Sequence, residues 1–310
     1  MRLNVFVKAT YLICSILLIV SCFSEISLLT KKAQDAFKEG KFLTSLYFAE
    51  NALLKNPKDK EALMIMVKSL LSLEDYQQAE EKLAKLFLIS DDPELFLLKG
   101  RILINYENYN SAIKYFLTYL EKKNEPLNLT AFSNLAYCYF QIEDYQKALE
   151  YYQKYHNYDN SNIEVLLNIA YLFGYLGKSD SAINYYNKIL RLDSTNYNAL
   201  YNRSIEYQLK NKFDSAKKDL ETLHNYYPDD TNVLMDLAKI QLKEKKHFGA
   251  INDLTKIIKI DSTNAEAYFL RGSALLELSR NFSACMDFIK AGELGYFEAY
   301  EKISKYCSKK

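Results

Sequence analysis

The chain has little of what chemistry usually requires. It holds only eight glycines in 310 residues, and they form no phosphate-cradling loop and no Gly-x-Ser-x-Gly. Its three histidines, His156, His224 and His247, stand far apart, and none belongs to a His-Glu-x-x-His pair. No metal set and no cofactor motif is readable. Formal charge is +1 and no polybasic stripe occurs, so the electrostatic signature of nucleic-acid binding is missing. Lys243-Glu-Lys-Lys-His247 reads as a solvated turn. Carboxylates are plentiful, but the pattern places nearly all of them at turns or solvent-facing positions. These absences argue against an enzyme.

What is present is a ruler. Ala148, Ala182, Ala216, Ala250 and Ala284 stand 34 residues apart, and Ala112 and Ala79 continue the series towards the N-terminus. Twelve residues before the five regular alanines lies a second small residue: Ala136, Ala170, Ser204, Ala238 and Gly272. Four residues earlier stands a large apolar one: Phe132, Leu166, Leu200, Leu234 and Tyr268. Four residues after the alanine comes Tyr152, Tyr186, Leu220, Leu254 or Phe288. Offsets of four belong to one face of a helix, not to strand alternation. Each unit is therefore expected to be two amphipathic helices joined by a short turn such as Glu143-Asp144, Gly177-Lys178 or Asn211-Lys212. A fixed period of this length marks a stacked repeat architecture.

The units also end alike. Arg191-Leu-Asp-Ser-Thr-Asn196 and Lys259-Ile-Asp-Ser-Thr-Asn264 are near copies, and Tyr227-Pro-Asp-Asp230 and Asn56-Pro-Lys-Asp59 hold the same place. Proline stops the preceding helix, while Asp, Ser, Thr and Asn cap the next. With its turn motif Glu143-Asp-Tyr-Gln-Lys-Ala148 and Glu74-Asp-Tyr-Gln-Gln-Ala79, the pattern resembles the tetratricopeptide repeat family. That resemblance implies an all-α, right-handed α-α superhelical solenoid of about eight helical hairpins with a C-terminal capping helix. Its register divides the chain into units near 26–59, 60–92, 93–128, 129–162, 163–196, 197–230, 231–264 and 265–296. Gln241 and Leu275 depart from the family's aromatic position, and Ser45 from its alanine position.

The two ends lie outside the ruler. Arg2 and Lys8 precede a largely apolar run, Ala9 to Val20, too short for the roughly 20 residues that span a bilayer core. This reads as a secretory signal, 1–21. Its end, Ile19-Val20-Ser21-Cys22, resembles the bacterial lipobox, which implies acylation of Cys22 and a short linker, 22–25. The alternatives are an ordinary signal peptide and an uncleaved anchor. Residues 297–310 read as a cap and tail, since a stack of repeats must hide its last apolar surface. Export would permit a disulfide between Cys285 of the last hairpin and Cys307 of the cap; buried free thiols are the commoner arrangement.

For function, the resemblance implies that the first helix of each hairpin lines a concave face. Its sixth position carries Asn134, Asn168, Asn202 and Asp236, with Tyr137, Phe140, Tyr171, Tyr201 and Phe269 beside them. Each amide offers a donor and an acceptor to an extended backbone, and aromatic side chains give contact at low entropic cost. Only Arg203 and Lys239 are near, so this is not the family's basic clamp for a C-terminal carboxylate. The expectation is a lipid-anchored, non-catalytic scaffold of a bacterial cell-envelope assembly. It would face the periplasm or cell surface, at the outer membrane rather than the inner, and hold a protein or peptide partner. The rival reading is a small-molecule or glycan-binding lipoprotein using surface aromatics; the absence of inserts between units argues against it.

Overall fold

The first helix of most hairpins has its start written in the residue before it. Asp59, Asp92, Asn162, Asn196, Asp230 and Asn264 accept hydrogen bonds from the first-turn amides that follow them, at 2.9–3.2 Å. A computed structural model describes residues 25–123 and 128–307, which form seventeen helices and no strand among the described residues. The chain divides into two compact units, Met1–Tyr158 and Asp159–Lys310.

The first unit contains α1 (25–38), α2 (Phe42–Lys55), α3 (Lys60–Ser72), α4 (Tyr76–Phe87), α5 (Pro93–Asn105), α6 (Tyr109–Lys123), α7 (Leu129–Gln141) and α8 (Tyr145–His156). The second contains α9 (Ile163–Tyr175), α10 (Ser179–Leu192), α11 (Tyr197–Leu209), α12 (Phe213–Tyr226), α13 (Thr231–Lys243), α14 (His247–Ile260), α15 (Ala265–Glu277), α16 (Asn281–Glu293) and α17 (Glu298–Tyr306). Helices pack in sequence order as hairpins, α9 on α10, α11 on α12 and so on, and α17 lies against α16. The eight hairpins and the capping helix expected from the repeat pattern are thus present.

The hairpin turns share one device. Gly40, Glu74, Glu107, Glu143, Gly177, Asn211, Lys245 and Ser279 all take positive φ, between 54° and 73°. The amide after each can then reach back into the finished helix, as Asp144 N–H does to Tyr139 C=O and Lys212 N–H to Tyr207 C=O. Six of these residues are not glycine, so the turn sets the conformation against residue preference.

The alanine ladder is the core. Ala79, Ala112, Ala148, Ala182, Ala216, Ala250 and Ala284 are fully buried. They let two helices of a hairpin approach closely while Phe116, Tyr186, Leu220, Leu254 and Phe288 fill the space alongside. Gly272 shows how close this approach is: a Cβ there would stand 3.0 Å from the Phe288 ring and 3.1 Å from Ala284 C=O. Ser45, the departure in the first hairpin, is fully buried yet satisfied, donating to Ala33 C=O at 2.8 Å and accepting from Ser69 at 3.0 Å. Cys138 is a buried free thiol, and burial pushes its pKa up to about 12.

At the C-terminal end, Cys285 and Cys307 are joined in a disulfide with Cα atoms 5.6 Å apart. It ties α17 to the last hairpin, where Ile303 and Cys307 pack beside Leu275, Ala284 and Phe288. The segment expected to direct export, Cys22 and residues 308–310 of the tail lie outside the described residues. No helix among the described residues is long and apolar enough to cross a membrane.

Candidate partner-binding surface

The first helices of successive hairpins meet one another within each unit: α9 approaches α11, α13 approaches α15, and α5 approaches α7. Their sixth and ninth positions are candidates for a shared strip along these helices. In the first unit the strip carries half-buried Asn134 and, one turn on, exposed Tyr137, whose ring meets Tyr109 edge-on at 6.1 Å.

The second unit carries the longer strip. Asn168 and Asn202 are half-buried, and their side-chain amides make no hydrogen bond among the described residues. Exposed Tyr171 meets Tyr175 edge-on at 4.9 Å, with the two hydroxyls 3.5 Å apart. Asp236, the carboxylate rung of the amide series, lies near the Tyr201 hydroxyl. Burial holds the Asp236 carboxyl above its ordinary range, against the opposing pull of Lys239 and the Tyr201 hydroxyl. Burial, then the charge of Asp236, pushes Tyr201 up to about 12. Tyr201 also stacks on Tyr197, whose hydroxyl donates to Asp230 at 2.7 Å. Phe269 is drawn into packing, 5.7 Å from Phe288 and 4.7 Å from Tyr296.

The two basic residues near the strip are committed. Arg203 grips Asp219 through Nε at 2.7 Å and Nη2 at 2.5 Å, and reaches Asn187 with Nη1. Lys239 pairs with Glu266 at 3.0 Å. Two hairpins later Arg271 repeats the Arg203 arrangement on Asp287, with both contacts at 2.8 Å. Asp219 and Asp287 are buried, exceptions among carboxylates that mostly lie at turns or towards solvent as the pattern predicts. A two-pronged arginine partner is what makes burial of each tolerable.

Tyr171 and Asn202 are also brought together in a pocket of about 260 Å³, lined further by Gly174, Tyr175, Tyr186, Ile205 and Glu206. Tyr171, Gly174 and Tyr175 share one face of α9, and Asn202, Ile205 and Glu206 share one face of α11. Tyr186 from α10 forms a buried wall. Its hydroxyl is pushed well above the usual phenol range, first by burial and then by the charge of Glu206. Sequence reasoning missed five of these seven residues. A signal was available: Gly174 and Glu206 are the residues that break the repeat pattern at their positions. No group of three or more metal-ligating side chains occurs among the described residues.

Two family models, both described as tetratricopeptide repeat, match residues 97–162 and 163–196. Residues 97–196 thus carry tetratricopeptide repeats. Solved structures agree at the level of fold. The C-terminal part of a TPR repeat-containing protein from Cytophaga hutchinsonii is 15% identical, with a TM-score of 0.66 over 77% of this chain and 97% of that one. Pseudomonas aeruginosa pilF is 17% identical, with a TM-score of 0.58 over 72% and 99%. YrrB, described as a TPR protein with an unusual peptide-binding site, is 21% identical, with a TM-score of 0.53 over 60% and 95%. No curated protein matches the chain. TPR proteins are in general protein-interaction scaffolds, and their domains bind peptide or protein partners.

Proposed function

We propose that this chain is a non-catalytic interaction scaffold that holds an extended segment of a protein partner along the first helices of its second unit. The observation that carries this reading is the pair of unbonded, half-buried amides, Asn168 and Asn202, beside the exposed ring of Tyr171. Amides one repeat apart can each donate to and accept from a passing backbone. YrrB, a peptide binder by its own description, supplies a precedent for the fold only.

Export and anchoring complete the proposal. The segment ending Ile19-Val20-Ser21-Cys22 directs the chain to the envelope, and acyl chains on Cys22 hold it at a membrane, facing the periplasm or cell surface. The Cys285–Cys307 disulfide supports an oxidising compartment. An envelope assembly is then the setting in which the scaffold acts.

Two experiments test the halves separately. A photo-crosslinking residue at position 205, in membranes, yields a discrete protein adduct that Asn168→Ala with Asn202→Ala removes while helix content is unchanged. An adduct indifferent to both substitutions refutes the groove. Cys22→Ala moves the chain out of the membrane fraction and abolishes acylation; a variant still acylated and membrane-bound refutes the anchor.

A further inference from the structure

The pocket beside Asn202 contains a buried carboxyl oxygen without a hydrogen-bond partner among the described residues. In four of the last five hairpins the tenth residue of the first helix is apolar and buried: Cys138, Leu172, Ile240 and Ala274 are each at most 1% exposed. In the remaining one it is Glu206, only 7% exposed, and its Oε2 has no hydrogen-bond partner among the described residues. Space for this side chain comes from the neighbouring hairpin. A Cβ on Gly174 would stand 2.5 Å from Glu206 Oε1, and the equivalent positions elsewhere hold Phe140, Gln208, Leu242 and Leu276. Two departures from one repeat pattern thus meet in one place.

Cations nearby are spoken for. Lys210, one helical turn after Glu206, pairs with Asp180 at 2.7 Å, and Arg203 is held by Asp219. A carboxyl group at this depth is costly unless something charged comes to it. The walls suit a cation too, because Tyr171 and Tyr175 present aromatic surface at the mouth, where a ring face attracts positive charge.

We propose that this pocket receives the ammonium group of a lysine side chain carried by the partner segment, with Glu206 as its counter-charge and Tyr171 and Tyr175 as its walls. The inference rests on the groove reading above. Lysine is favoured over arginine because Oε2 of Glu206 is buried, denying a guanidinium its two-oxygen grip, whereas a compact ammonium needs one oxygen. Asn202, at the pocket edge, is placed to bond the backbone beside that lysine.

The test uses the full chain and a defined probe, Nα-acetyl-lysine N-methylamide, titrated by ligand-observed NMR. Saturable binding is expected, weakened about tenfold or more by Glu206→Gln or by replacing lysine with norleucine in the probe. Glu206→Leu is expected to melt at a higher temperature than the wild type while losing the probe. The absence of saturable binding, unchanged binding in Glu206→Gln, an arginine probe binding more tightly, or a lower melting temperature for Glu206→Leu each overturns the proposal. The two readings separate cleanly. A partner adduct lost in Asn168→Ala/Asn202→Ala but kept in Glu206→Gln removes the lysine pocket and leaves the groove. Lysine binding that depends on Glu206, without an adduct sensitive to Asn202, keeps the pocket and removes the groove.

Discussion

Reducing the Cys285–Cys307 disulfide should release the capping helix and leave the rest of the second unit folded. The helix α17 has nine residues, below the roughly 12–15 at which an isolated helix becomes even marginal in water. Its own anchorage is thin: Ala299 is its one fully buried residue, and Tyr300 donates to Gly292 C=O at 3.1 Å. The bridge spans 22 residues, and the chain-entropy relation for a loop of that size gives about 3.4 kcal/mol at room temperature. Because repeats couple only to their neighbours, that loss falls on the local opening of α17 and the adjoining α16. Converted to an equilibrium, it raises opening by about 10²- to 10³-fold. Hydrogen exchange with and without reductant reads this directly. The Cys307 amide, bonded to Ile303 C=O at 2.9 Å, should lose most of its protection, and amides of α9 and α10 should lose none. Exchange in α17 that reduction leaves unaltered, or free thiols at both positions in a non-reduced peptide map, would refute the reasoning.

Three further outcomes follow from named contacts. Arg203→Ala strands the buried Asp219 carboxylate and should cost about 2 kcal/mol in urea unfolding, below the value for a fully buried pair because the arginine keeps some solvent contact. Replacing both partners by apolar residues should cost clearly less. Gly100→Ala should destabilise despite the better helix former, since the new Cβ would stand 2.4 Å from the Phe116 ring; overpacking of this kind costs about 1–3 kcal/mol, and Phe116→Leu should restore part of it. Asp236→Asn should stabilise the chain at neutral pH. Burial raises the folded-state pKa of Asp236 above 3.8, so its contribution is full below 3.8 and lost as pH rises through the raised value. The gain in melting temperature of Asp236→Asn over the wild type should therefore shrink as pH falls towards 3.8; a gain that grows instead would refute the assignment.

The hairpin architecture was legible before any coordinates because it is local and periodic. A buried alanine every 34 residues, with large apolar residues at helical offsets, forces two helices to pack at each repeat. The departures were visible but not interpretable. Ser45 at an alanine position reads as a defect until Ala33 C=O and the Ser69 hydroxyl are seen to satisfy it. Asp219 and Asp287 read as surface charge until Arg203 and Arg271, sixteen residues earlier, reach them across the hairpin.

By itself, then, the sequence determined that the described chain is a series of helical hairpins, where most hairpins' first helices are capped, and which positions share an inner face. Those properties depend on neighbours within one unit, where spacing alone sets geometry. Only the tertiary structure decided which of those inner positions cooperate. Tyr201 lies near Asp236 and Phe269 against Phe288, whereas Tyr171 and Asn202 open onto a pocket with Glu206 at its base. That outcome depends on how one hairpin lies against the next, and on a missing side chain at Gly174 creating room for a carboxyl group 32 residues away. Periodicity reports what repeats; a site made of two exceptions becomes visible only when the helices bearing them are placed side by side.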